Sequence, residues 1–74
     1  MLLFELKKGD RGRILKVKGD SIFKKRILDM GLIKGEVFKI KNIAPLGDPL
    51  EITIKNYDLS LRKKEAQNIE VERI

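Results

Sequence analysis

LEITIKNYDLSLR, residues 50–62, is the stretch whose pattern decides the fold. Leu50, Ile52 and Ile54 alternate without error against Glu51, Thr53 and Lys55, which is the period of a strand with one covered and one wet face. Asn56, Tyr57 and Asp58 read as a turn in which Asn56 is the residue best able to take left-handed backbone, and LSLR returns as a short strand. A hairpin this clearly marked predicts a β-rich chain on both sides of it.

Immediately upstream, Pro45 and Pro49 restrict the backbone of IAPLGDP while Gly47 and Asp48 supply turn geometry, so the segment reads as a stiff connector with Leu46 at its apolar tip. Before it, VFKIKNI alternates Phe38 and Ile40 with Lys39 and Lys41. Earlier still, GDRG at Gly9 to Gly12 reads as a turn, and RILKVK as a strand whose core pair is Leu15 and Val17, with Ile14 breaking the alternation toward a second covered face. Downstream, KKEAQN has helical composition but length for a single turn only, and IEVERI closes the chain as a strand with Ile69 and Val71 inward. Turn signals therefore recur roughly every eight to twelve residues, as in a small all-β sandwich or barrel.

One helix interrupts this series. In SIFKKRILDM, Phe23, Ile27 and Met30 fall at i, i+4 and i+7 on one face, leaving Lys24, Lys25 and Asp29 to solvent, and Asp20 or Ser21 is available as N-cap. Gly31 stands where the residue after the helix takes positive φ, and Leu32 folds back as the apolar residue behind it. Five strands and this helix cannot form a two-layer sandwich in 74 residues. A strongly bent, small closed barrel, plugged at one end by the helix, fits the count and removes edge strands.

A chain of this length buries only roughly 60% of its unfolded surface, so a large internal cavity is not expected. Without cysteine, neither a disulfide nor a thiolate metal site holds it together, and stability rests on packing and hydrogen bonds. No run approaches the roughly 20 apolar residues of a membrane span, and MLLFELKK is too short and too soon charged for a signal sequence, so the cytoplasm is the expected location. The net charge of +6 is uneven: residues 1–41 hold 12 Lys and Arg against 5 Asp and Glu, and residues 42–74 hold 5 against 6. The first part is thus +7 and the second −1, an asymmetry that steers toward an anionic partner without choosing its kind.

With no histidine, no cysteine and three Ser or Thr hydroxyls, the chain lacks the parts of a nucleophile and general-base pair, and an enzyme is not expected. GDRGR has neither glycine order of a phosphate-binding loop and precedes a strand, where those motifs open a helix. Only oxygen donors are present, which disfavours a tight transition-metal site, and no cofactor is implied. Lys24, Lys25 and Arg26 form a consecutive basic triplet, but the single Tyr and three Phe do not interleave with basic residues as a base-stacking surface requires. Nucleic acid is therefore not the expected partner.

The order of GDRGRILKV, KKRILDMGLIKGEVFKI, APLGDPLEI and LSLRKKEAQNIEV resembles the FeoA family of ferrous iron transport accessory proteins over almost the whole chain. The specific parts are Met30, Gly31 and Gly35 in DMGLIKG, the APLGDP loop, and Leu59, Leu61, Arg62, Glu65 and Ala66 in the LxLRxxEA block. Asn56 stands where the family commonly has glycine, and asparagine tolerates the same left-handed geometry. The resemblance implies a single SH3-like β-barrel domain over residues 1–74, of about five strands, with a short helix after the first strand and one helical turn before the last. It also implies a cytoplasmic, non-enzymatic accessory that binds the cytoplasmic part of a FeoB-like ferrous iron transporter without inserting into the membrane. The expected docking residues are Lys24, Lys25 and Arg26 on the helix and Leu46 at the loop tip. Arg62 is also a candidate, though expected to pair with Asp48 or Glu65. An exposed edge or the apolar tip would support a weak homodimer. With no DNA-binding helices ahead of the domain, a free-standing accessory is expected. The alternatives are a small nucleic-acid-binding barrel and a repressor-type metal-sensing module.

Overall fold

Alternation in LEITI is realised as a strand from Leu50 to Ile54, with Leu50, Ile52 and Ile54 all buried. The structure is a computed structural model describing residues 1–74. Its strands are β1 (Arg11–Val17), β2 (Val37–Ile43), β3 (Leu50–Ile54), β4 (Tyr57–Leu61) and β5 (Ile69–Arg73). Helix α1 (Ser21–Asp29) joins β1 to β2, and the single turn α2 (Lys63–Ala66) joins β4 to β5. All strand pairings are antiparallel, in the order β4-β3-β2-β1-β5. The fold is mainly β, as expected, but the hydrogen-bonded ladder does not close, because β4 and β5 do not pair. The α2 turn intervenes between them, and its Ala66 is fully buried.

Two bulges bend the sheet. Opposite β5, Ile14 and Lys16 pair with the adjacent residues Val71 and Glu70, so Leu15 is an extra residue in β1. Opposite β3, Ile40 and Asn42 pair with Ile52 and Glu51, so Lys41 is extra in β2. A bulge shifts side-chain parity by one, and the inward residues become Ile14 with Val17, and Ile40 with Ile43. The sequence expectation of Leu15 and Val17 as a core pair is corrected accordingly. Ile14 is fully buried, Val17 packs against the core from its margin, and Leu15 is the half-buried bulge residue.

Fourteen apolar side chains form one core, drawn from every element. Ile27 of α1 is fully buried in it, with Phe23 and Met30 packed against its edge, as the helical spacing predicts. The N-terminal segment, which carried no recognisable pattern, also contributes. Leu3 and Leu6 are buried around a 3₁₀ turn at Leu3–Glu5, and Leu2 bridges to Glu70. Met1 also exchanges hydrogen bonds with Val71, so residues 1 and 2 lie along the outer edge of β5 and satisfy part of it.

Helix α1 begins at Asp20, whose carboxylate accepts from the Phe23 amide at 2.8 Å. It ends in a Schellman motif: the Gly31 amide bonds the Leu28 carbonyl and the Leu32 amide bonds that of Ile27. Gly31 takes φ +94°, and Leu32 folds back into the core. The glycine has a second reason. The Tyr57 hydroxyl donates to the Met30 carbonyl at 2.8 Å, and a Cβ on Gly31 would collide with that hydroxyl. Gly12 is not part of the Gly9 turn, as the sequence suggested, but a β1 residue lying under the Phe38 ring, where a Cβ would not fit.

The β3–β4 turn is tighter than expected, occupying Lys55 and Asn56, and Lys55 instead of Asn56 has the positive φ, at 54°. Tyr57 and Asp58 already belong to β4. Asp58 accepts from Lys41 Nζ at 2.6 Å and from the Thr53 hydroxyl at 2.7 Å, linking three strands on the outer face. These hydrogen bonds, the one from Lys41 foremost and then that from Thr53, hold the Asp58 carboxyl below its ordinary 3.8. The hydrogen bond to Asp58 and then its charge hold Lys41 above 10.5.

Two predictions follow from these contacts. Gly31→Ala should lower stability by about 1–3 kcal/mol, combining left-handed strain with the clash. In a Tyr57→Phe background the same change should cost less, because only the strain remains, and urea unfolding of the four-member cycle measures the difference. The Asp58–Lys41 contribution should be complete across neutral pH. It should fade as pH falls below the unfolded carboxyl value of 3.8 through the lower folded one, and again as pH rises beyond 10.5 through the raised folded value of Lys41. The urea midpoint of Asp58→Asn should therefore fall below wild type at pH 7 and converge with it in acid.

Candidate functional site

The basic triplet does not form one patch, because consecutive helical residues point in directions about 100° apart. Arg26 turns toward α2 and forms an ion pair with Glu65. Glu65 is 8% exposed, with its second oxygen, Oε1, accepting from the Arg62 amide at 2.9 Å. Its buried Oε2 has the Arg26 guanidinium as its only counter-charge, so Arg26 holds the fold together. Lys25 is exposed and unpaired, and Lys24 faces the seam between α1 and β1.

Arg62 does not pair through its guanidinium with either expected acid. Glu65 takes the Arg62 amide and the Arg26 side chain, while Asp48 accepts from the Lys63 amide at 3.0 Å. Both carboxylates are thus used at the start of α2, which leaves the Arg62 side chain exposed. Arg26 and Arg62 do meet in one shallow depression beside Phe23 and Lys64.

Leu46 is 91% exposed, which settles the geometry of its loop. The Gly47 amide bonds the Ala44 carbonyl and the Ala44 amide bonds that of Pro49, closing the loop on itself. Asp48 then anchors it to α2. The tip is held outward by hydrogen bonds at its base instead of being tucked into the core.

A second apolar surface was not anticipated. Leu15, Val17 and Leu28 floor an open groove of about 410 Å³ between β1 and α1, with Lys16, Lys24 and Lys34 around it. Leu15 is there because of the bulge, and Leu28 because it stands off the Phe23, Ile27 and Met30 face. The sequence signalled only half of this: Leu28 stands off the apolar helix face, whereas Leu15, which strand alternation placed inside, is carried to the seam by a bulge without a compositional mark.

Acidic side chains are mostly committed within the fold. Asp20 caps α1, Asp10 accepts from the Lys7 amide, and Glu72, Glu70 and Glu36 pair with Arg13, Lys18 and Lys55. They form no cluster of three or more with metal-ligating geometry. No helix is long and apolar enough to cross a membrane.

Comparison with known proteins accounts for this architecture. The FeoA domain model matches residues 1–73. A Porphyromonas gingivalis protein, an Fe(2+) transport protein A/Fe(2+) transporter FeoB fusion, is 45% identical over all 74 residues, which span 9% of its length. The solution structure of FeoA from Chlorobium tepidum superposes with a TM-score of 0.91 at 38% identity, covering all of this chain and 70% of that one. The zinc-complexed FeoA of Stenotrophomonas maltophilia, described as a prokaryotic SH3 domain protein, gives a TM-score of 0.83 at 25% identity over 97% of this chain and 89% of that one. The open, bent sheet is accordingly SH3-like, and the chain belongs to the FeoA family, whose domain is associated with ferrous iron transport.

Proposed function

We propose that this protein is a non-enzymatic, cytoplasmic accessory of ferrous iron uptake that docks on the cytoplasmic part of a FeoB-like transporter. The observation that carries the reading is the fusion of a 45%-identical domain to FeoB in one relative. Fusion holds two modules at high effective concentration, an arrangement that favours contact between a domain of this kind and the transporter. The molecule has features suited to such a role. It presents an outward apolar tip at Leu46 and uncommitted cations at Lys24, Lys25 and Arg62, with Arg26 reserved for Glu65. Its phenylalanines pack on or in the core, which removes them as base-stacking platforms and disfavours the nucleic-acid alternative.

The test is direct binding of the full chain to the isolated cytoplasmic domain of a FeoB-like transporter, by calorimetry in each nucleotide state of that domain. Leu46→Asp should fold normally, since its side chain touches little, and should weaken binding about tenfold or more, as loss of an apolar anchor does. Charge reversal at Lys24 and Lys25 should weaken it further and flatten its salt dependence. An absence of binding by the wild-type chain in every nucleotide state would overturn the reading.

A further inference from the structure

The groove between β1 and α1 combines three features. Its floor is apolar, made by Leu15, Val17 and Leu28, the last of them 48% exposed. Around that floor stand Lys16, Lys24 and Lys34, and none of the three forms an ion pair. No acidic residue lines it. In a chain that pairs five of its cations with its own acids, three neighbouring lysines without partners are a local surplus of positive charge around an uncovered apolar strip. The other lysine-rich depression, lined by Lys8, Lys39, Lys41 and Thr53, differs in both respects. Its floor has one apolar residue, and its Lys41 and Thr53 are already bound to Asp58.

We infer that this groove is a docking site for an acidic amphipathic protein segment, whose apolar side chains cover Leu15, Val17 and Leu28 and whose Asp or Glu side chains meet Lys16, Lys24 and Lys34. Lysine stems extend the apolar wall while their ammonium groups stay at the rim, so one segment satisfies both parts of the groove. Helix α1 has nine residues, a length of roughly 13 Å at ~1.5 Å per residue, which matches a partner segment of two or three helical turns. A second copy of the chain is a poor occupant, since each copy carries +6. The bulge explains how the surface arises: the extra residue in β1 puts Leu15 at the seam without opening the core beneath it, where Ile14 remains fully buried. The inference rests on the docking reading above only for who supplies the segment.

The test uses the full chain labelled for NMR and titrated with a short synthetic peptide that carries leucines on one helical face and glutamates on the other. The largest shifts should fall on Leu15, Val17, Leu28 and Lys24. Lys24→Glu combined with Lys34→Glu should weaken binding about tenfold or more. Leu28→Gln, a half-exposed helix position that tolerates glutamine, should do the same with the unfolding midpoint little changed. The inference is overturned by any of four results: no binding, equal binding of a lysine-for-glutamate peptide, shifts centred on Lys8 and Lys39, or groove occupancy by vesicles of phosphatidylcholine and phosphatidylglycerol but not by the peptide. Self-association through the groove at NMR concentrations would overturn it as well. The transporter's cytoplasmic domain then separates the two readings. If it binds wild type and Leu28→Gln equally, the accessory role stands and the groove is not its dock. If it binds neither while the peptide fills the groove, the surface stands and the partner is another protein.

Discussion

Enclosing fourteen apolar side chains with a sheet of only five short strands requires the sheet to bend sharply, and the bulges at Leu15 and Lys41 are where it does so. They lie on β1 and β2, neighbouring interior strands of the pairing order, where curvature changes how far the outer strands approach one another. The sheet nevertheless stops short of closure, and the gap between β4 and β5 is spanned by the α2 turn with Ala66 inward. Each bulge also delivers a side chain outside. Lys41 reaches the carboxylate of Asp58 two strands away, and Leu15 reaches the seam with α1. Curvature and surface chemistry thus come from the same two extra residues.

Electrostatics follow from how the acids are used. Eleven acidic residues face seventeen basic ones, and most of the acids cap a turn, anchor a loop or neutralise a specific cation. Glu65 does the most: it joins the start of α2 to α1 through the Arg62 amide and the Arg26 guanidinium, from a position 8% exposed. A charge held that deeply must keep its partner, so Arg26 belongs to the architecture while Lys24 and Lys25 beside it are free. Five cations are paired with internal acids, and the excess of +6 is carried by the others, Lys16, Lys24 and Lys34 among them.

Much of this was legible in the residues. The alternation of Leu50, Ile52 and Ile54, the Ile69 and Val71 pair, the Phe23, Ile27 and Met30 face and the Gly31 stop are all present where their periods placed them. Strand β1 was misread at Leu15 because a bulge changes side-chain parity without leaving a compositional mark: ILKV contains no glycine or proline to announce it. The hairpin turn moved one residue because Lys55 accepts positive φ in place of Asn56, a choice made by strand register and not by local preference. Residues 1–6 carried no period because their role is lateral, with Leu3 and Leu6 entering the core and residues 1 and 2 covering an edge. At the candidate site, the exposure of Leu46 could be suspected from its rigid loop but not decided, since it depends on Asp48 finding the Lys63 amide 15 residues later.

The distribution of chemistry bears on what a protein of this family can contribute to iron transport. Strong ferrous iron binding calls for imidazole, thiolate or several converging carboxylates. This chain has no histidine or cysteine, and its carboxylates are dispersed among caps and ion pairs that stabilise the fold. Recruiting those carboxylates to a metal would break the contacts that hold α1, α2 and the sheet in place. The features the fold leaves uncommitted are of a different kind: an apolar tip fixed at its base, and an apolar groove rimmed by lysines. The physical division within the molecule therefore runs between acids that maintain the fold and cations and leucines that the fold leaves uncommitted.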